Sequence, residues 1–422
     1  MPSPGPLGPS SPLPCPALLP RRREAAVRER TGNPMTLALE RPVHSADADP
    51  DVLTPVSGVL DLSPQGHGFL RGPDLASTPR DPQVCAALVR EFGLRPGDSV
   101  AGQAVDTPRG RRRVLTRVDL VGGLPAGCSN SRPHFRDLTP LYPRDRLRME
   151  HPGGPLTLRV TDLIAPMGKG QRGLIVAPPK SGKTVLLQQL ADAVTRNHPD
   201  CVLMVVLVDE RPEEVTDLRR AVHGEVYAST FDRPAGDHIA LADLAVERAK
   251  RLVEQGKDVV LLLDSLTRLC RAHNNAAEAG GRTLSGGVDV TALTGPKRLF
   301  GAARHAEEGG SLTILATVLV GTGSRADDYY FEELKSTGNM ELRLSRDLAD
   351  KRVYPAVDIT ASGTRKDELL VSPRELTVVH GMRRAFLGRD GRSALETLLD
   401  RMRGTASNAA FLRQVSGTVP AA

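Results

Sequence analysis

The stretch "GLIVAPPKSGKTVLLQQLADAV", Gly173 to Val194, constrains the chain most. An apolar run passes through a short Pro- and Gly-bearing loop straight into a helix with an apolar stripe. Strand, tight loop and helix in that order aim the loop's N–H groups and the helix N-terminus at one point, an arrangement suited to phosphate oxygens. Lys183 supplies a cation there, and the Thr184 hydroxyl is placed for Mg²⁺. The usual phosphate-loop pattern opens with glycine. Here that position is Ala177, where a turn at Pro178 and Pro179 is expected to take its place.

Three further runs are apolar nearly throughout: "CVLMVVLVD", "DVVLLLD" and "SLTILATVL". Strands with no polar alternation are buried on both faces. Separated by helical segments, they read as a parallel α/β sheet, and 422 residues are ample for its core. Functional side chains of such sheets gather at strand ends. "DVVLLLD" ends in Asp264, an acid expected to hold magnesium's water shell, and "VVLVDE" ends in Asp209 and Glu210. Glu210 is expected to orient or deprotonate an attacking water. In "SGTRKDELL", Arg365 follows a Gly-bearing turn and is a candidate for stabilising charge on a transferred phosphoryl group. Two Gly-rich loops, "EAGGRTLSGGVD" around Arg282 and "GTGSRADDYY" around Arg325, are candidates for contact with nucleic-acid phosphates.

The chain before Gly153 has a different character. Residues 1–51 are rich in Pro, Gly, Ser and Arg without apolar periodicity and are expected to be disordered. Their proline-broken apolar piece precedes the basic residues, which argues against a signal peptide, and Met35 is an alternative start. Residues 52–121 carry short β-type runs between Gly, Pro and Asp turns, with "PQVCAALVREFGL" as a helical insert, a pattern that suits a small barrel of OB or cold-shock type. Residues 122–152 read as a connector, and 153–422 as the second domain. Between Arg109 and Arg148 ten arginines face three acids, a local excess of seven in a chain whose net charge is +6, and the patch points to a polyanion. The five cysteines are scattered and unpaired in pattern, suggesting neither a disulfide framework nor a zinc site. A reducing cytoplasm fits, and no apolar run is long enough for a membrane span.

Taken together, "GQRGLIVAPPKSGKT", "VDERPEEVTDL", "LLLDSLTRLCRAHN", "LSGGVD", "PKRLFGAARHAEEGGSLTI", "STGNMELRLSRDLADKRVYPAVD" and "SGTRKDELL" resemble the bacterial transcription termination factor Rho family, over about Val52 to Val415. Alanine at the first phosphate-loop position is a mark of that family. The resemblance implies a RecA-like ATPase core behind an OB/cold-shock barrel, with ATP and Mg²⁺ as cofactors, and a homohexamer that pulls single-stranded nascent RNA through its pore. RNA polymerase is implied as a partner. ATP contacts would come from Lys180, Ser181, Gly182, Lys183, Thr184, Val185, Arg211, Asp264, Arg352 and Tyr354. Glu210 would activate water, and Arg365 would reach the neighbouring subunit's site. His67, Phe69, Arg71 and Arg112 would form the primary RNA site on the barrel; Arg282 and Arg325 would line a secondary site in the pore. The family commonly presents several aromatics on the barrel. This chain has His67, Phe69, Gln83 and Arg112 there, and only Phe69 is a plain stacking platform. Two other readings stay open: a different RecA-like ring ATPase, such as a rotary ATP synthase subunit, and a passive RNA-binding protein.

Overall fold

The computed structural model describes residues 53–107, 112–277, 283–284 and 286–417. The N-terminal stretch read as disordered, and Arg282, lie outside the described residues.

Strands β1 (Thr54–Leu62), β2 (Gly68–Arg71), β3 (Gln83–Val84), β4 (Ser99–Asp106) and β5 (Arg113–Val121) close into a barrel, because β3 pairs with both β2 and β5. A short helix, α1 (Ala86–Glu91), sits where the helical insert is expected. A sixth strand, β6 (Leu124–Pro125), pairs with β5 inside the stretch read as connector. Alternation sends Leu60, Leu70, Val84, Val100, Leu115 and Val121 into the barrel core. Cys85, Cys201 and Cys270 are free thiols.

In the second domain, α2 (Leu156–Ile164) precedes β7 (Arg172–Ala177) and α3 (Lys183–Asn197). Then follow β8 (Val202–Glu210), α4 (Pro212–Ala221), β9 (Glu225–Thr230), α5 (Ala235–Glu254), β10 (Asp258–Asp264) and α6 (Leu266–Ala276). After α7 (Thr294–Phe300) come β11 (Ser311–Leu319), α8 (Arg325–Lys335), β12 (Met340–Arg343), α9 (Arg346–Asp350) and β13 (Gly363–Thr364). Helices α10 (Pro373–Phe386), α11 (Gly391–Arg403) and α12 (Asn408–Val415) end the fold. The sheet order is β9-β8-β10-β11-β7-β12-β13, parallel except at β12/β13. Its strands read as continuous apolar runs because both faces are covered. Leu203, Val205 and Leu207 join one apolar cluster, and Met204, Val206 and Val208 the other. Each such side chain buried contributes roughly 1.5–3 kcal/mol, so a polar residue inside these strands needs a local partner.

The barrel lies along α5. Val59 faces away from the barrel core into an apolar cluster of the second domain, Gly97 packs flat on the backbone of Glu247 and Arg248, and Arg95 pairs with the buried Glu254 at 3.0 Å. Among the described residues no helix is long and apolar enough to cross a membrane.

Candidate functional site

The loop after β7 turns by way of Lys180 (φ 64°) and Gly182 (φ 94°), both left-handed, before α3 starts at Lys183. Gly182 suits that conformation because it has no Cβ; Lys180 holds it against a steric penalty, as loops that present backbone to a ligand often do. The Ser181 hydroxyl donates to the Pro178 carbonyl at 2.7 Å and closes the loop on itself. Gly182 and Lys183 thus lie at the N-terminus of a 15-residue helix, with its unpaired N–H groups facing outward.

Three strand ends converge on Lys183. Its ammonium lies 2.6 and 2.7 Å from the two Asp264 oxygens and 2.9 Å from Glu210 Oε1. Asp264 and Glu210 are 1% and 2% exposed, so neither carboxylate can rely on bulk water. Burial pulls the Lys183 ammonium down, but Asp264 and Glu210 outweigh it and leave it above its usual value. Burial, and then the neighbouring Asp264, push Glu210 above the ordinary carboxylate range, with Lys183 and Arg268 opposing. The Glu210 carboxylate reaches the site through a bulge: Asp209 is left-handed (φ 58°), and the β8/β9 register shifts between Val208 and Glu210. Thr184, the next residue along α3 after Lys183, is half-buried.

Two residues that the sequence reading passed over complete the cluster. Thr317, fully buried on β11, donates to Asp264 Oδ1 at 2.7 Å. Arg268 on α6 lies 3.4 Å from Glu210 and 3.5 Å from Asp209. A threonine inside "SLTILATVL" was the available signal for the first. For the second it was an arginine one helical turn past Asp264.

Val185 and Tyr354 are exposed apolar residues, 56% and 48%, and Tyr354 Cε1 is 4.0 Å from the position of a Cβ on Gly182. Both therefore border the phosphate loop. Arg352, left-handed and exposed, is two residues from Tyr354 on the same rim. Arg211 is exposed just before α4, with its guanidinium on Glu214 at 3.0 Å rather than on the Lys183 cluster.

Arg365 is elsewhere. Its N–H donates to Asn339 O at 2.9 Å, just before β12, and Asn339 in turn accepts from the N–H of Arg172 at the start of β7. The phosphate loop leaves the other end of β7. Five strand residues at about 3.3 Å each put about 16 Å between them before the loop's own length is added, so Arg365 cannot serve the site of its own chain.

The nucleic-acid candidates fall into two groups. On β2, Phe69 meets His67 edge-on with centroids 6.2 Å apart, and the Arg71 guanidinium sits 5.3 Å from the Phe69 centroid. Gln83 is Phe69's partner across the strand pair. Arg71 is held by Asp61 at 2.6 Å, Asp81 at 2.7 Å and Ser77 at 2.8 Å, and acts as a fixed backing for the platform rather than a loose cation. Arg112 is exposed at the end of the β4/β5 hairpin, while Arg113, counted in the basic run, is paired with Asp106. In the second group, Arg325 is exposed at the start of α8. Gly286 of "LSGGVD" packs so closely on α8 that a Cβ there would lie 3.0 Å from the Ala326 nitrogen, so the two Gly-rich loops adjoin.

Helix α6 runs between these loops and the Lys183 cluster. Its Arg268 faces Glu210, its Arg271 holds the fully buried Asp327 of α8 at 2.6 Å, and its Asn274 accepts from the N–H of Asp289 at 2.7 Å.

A parallel sheet with a phosphate loop, a carboxylate pair at adjoining strand ends and a separate β-barrel defines an ATP-hydrolysing enzyme of the RecA-like class with an added RNA-binding domain. Residues 157–364 match the nucleotide-binding domain of the ATP synthase alpha/beta family, and residues 56–126 match the RNA-binding domain of the Rho termination factor. Transcription termination factor Rho of Streptomyces coelicolor is 65% identical over 402 residues, 95% of this chain and 94% of that one. The same-named protein of Streptosporangium roseum is 58% identical over 90% of this chain and 96% of its own. That of Mycobacterium tuberculosis is 56% identical over 88% of this chain, which spans only 62% of that longer relative. A prototypical ATPase from the type III secretion system of pathogenic bacteria shares the fold, with a TM-score of 0.56 at 22% identity over 67% of this chain and 87% of its own. The chain belongs to the transcription termination factor Rho family.

Proposed function

We propose that this chain is an ATP-dependent RNA translocase and helicase that terminates transcription, working in the cytoplasm as a homohexameric ring on the nascent RNA of RNA polymerase. The observation that carries this reading is helix α6, one rigid element with Arg268 on the hydrolytic carboxylate and Arg271 and Asn274 on the loops assigned to RNA. A change at Glu210 is then felt at the loops, and a change in the loops at Glu210.

ATP would be held by the loop residues Lys180 to Val185, with Tyr354 and Val185 flanking the base and Arg352 and Arg211 near the phosphates. The arrival of phosphates gives the Lys183 ammonium a stronger partner than the carboxylates it now bridges, and Glu210 is released to take a proton from water. Thr184 and, through water, Asp264 would hold Mg²⁺, which would supply charge neutralisation at the phosphates. Arg365 would complete the site of the next subunit, and Arg325 with Arg282 would grip the RNA backbone in the pore.

The test is hydrolysis by the purified chain with and without poly(C) and poly(U). Magnesium-dependent turnover well above the RNA-free rate is expected. Turnover indifferent to RNA favours a rotary-type ATPase, and RNA binding without turnover a passive binder. Because Glu210 must be ionised to act as a base and its pKa is raised, turnover should fall with decreasing pH above the range where ordinary carboxylates titrate. An acid limb confined to the ordinary range would contradict that assignment. Phe69→Ala should weaken binding of a short cytidine oligonucleotide by about 1–3 kcal/mol, or about 5- to 150-fold, and an unchanged affinity in a direct titration would remove Phe69 from the site.

A further inference from the structure

Between β2 and β3 the barrel's loop carries one buried side chain among residues 72–80, Leu75. It is 4% exposed and adopts a left-handed conformation (φ 57°), unusual for a residue with a branched apolar side chain. Leu75 leaves the barrel altogether. It joins the ATPase-domain cluster of Tyr227, Leu241 and Leu244 and lines a cavity with Ala228. Two residues beyond Ala228, Thr230 is the β9 partner of Glu210, and the next N–H, that of Phe231, donates to the Glu210 carbonyl at 3.3 Å. The other end of the loop is tied to the RNA platform. Arg71, whose guanidinium backs Phe69, bonds to Ser77 and Asp81 on either side of the loop's C-terminal half. At the surface, Asp74 pairs with Arg219 of α4 at 3.2 Å.

We propose that Leu75 is a positioning residue that couples RNA bound on the barrel to Glu210 of the same subunit, through Arg71 and the end of β9. This rests on the proposed RNA-dependent ATPase. A base stacked on Phe69 loads Arg71. Arg71 moves or stiffens the loop, and the buried Leu75 passes that restraint to the strand whose last pairing holds Glu210. The barrel's RNA site then lowers the RNA concentration needed to switch on hydrolysis, without taking part in the chemical step.

The experiment uses the full chain and its Leu75→Ala variant. It measures anisotropy of a labelled short cytidine oligonucleotide, kcat of the ATPase at saturating poly(C), and the poly(C) concentration giving half-maximal ATPase. Expected for Leu75→Ala are unchanged oligonucleotide affinity and kcat, with half-maximal poly(C) raised about tenfold, a usual size for coupling between two sites. Leu75→Met, unbranched at Cβ and of similar volume, should restore the parent value. Arg219→Ala removes only the exposed pair to the same loop and tolerates any folding defect of Leu75→Ala; about a twofold shift in the same direction is expected of it. Half-maximal poly(C) unchanged in both variants overturns the inference. So does a parallel loss of oligonucleotide affinity, which makes Leu75 part of the barrel site itself, or a fall in kcat alone with a lowered thermal transition, which makes its role structural only. An intact parent whose ATPase ignores RNA overturns the function on which the inference stands, a result distinguishable from all of these before any variant is made.

Discussion

Glu210→Ala will bind ATP and fail to hydrolyse it. The carboxylate is 2% exposed, pushed up in pKa by burial and by Asp264, and within 2.9 Å of Lys183 and 3.4 Å of Arg268. That is the setting of a group whose proton affinity is tuned for transfer rather than for a surface ion pair. A positioned general base contributes about 10²- to 10⁴-fold to rate, so RNA-stimulated turnover should fall by that order. Nucleotide affinity, read by fluorescent-ATP titration, should hold or improve, because the alanine removes a buried negative charge from the place where phosphates arrive. Lys183→Ala should behave in the opposite way and lose binding, since it deletes the cation and leaves Asp264 and Glu210 facing each other. A Glu210→Ala chain that hydrolyses ATP at the parent rate would remove Glu210 from the chemistry.

Arg365→Ala should cost about 10³- to 10⁵-fold in turnover, the range measured for arginines that stabilise a transferring phosphoryl group, although this arginine is at the wrong end of β7 for its own phosphate loop. The defect should therefore be complemented between subunits. Mixing Arg365→Ala chains, which keep an intact loop, with Lys183→Ala chains, which keep an intact Arg365, creates interfaces where both intact halves meet. Steady-state ATPase of the mixture should exceed that of either inactive parent. A mixture no more active than its components would contradict action across the interface.

Lys183, Asp264 and Glu210 could be read from the sequence because a parallel sheet exposes its chemistry at strand ends, and an apolar run that stops in an acid marks such an end. Arg268 and Thr317 could not, for different reasons. Arg268 lies on a helix whose arginines look like an ordinary solvated face until the fold brings Glu210 within 3.4 Å of it. Thr317 reads as a β-branched strand former, and only its burial against Asp264 gives its hydroxyl a task. Arg71 was read as a cation for RNA; the acids that hold it, Asp61 and Asp81, are ten residues to either side and meet it only when β1, β2 and the following loop are folded together. The distance between Arg365 and its own loop is a matter of strand register, which hydrophobic pattern does not specify in a strand buried on both faces. Leu75, alone in a polar turn, carried no periodicity by which its burial against another domain could be found.

Hydrolysis at the Lys183–Glu210 site is expected to move RNA. The measurement closest to it is strand displacement: a labelled DNA strand annealed to an RNA with a long single-stranded cytidine-rich extension, incubated with the chain, ATP and Mg²⁺. Release of the labelled strand should require ATP hydrolysis, stop with Glu210→Ala, and fall with Phe69→Ala when RNA is limiting. RNA-stimulated ATPase with no strand released under any RNA concentration would contradict it.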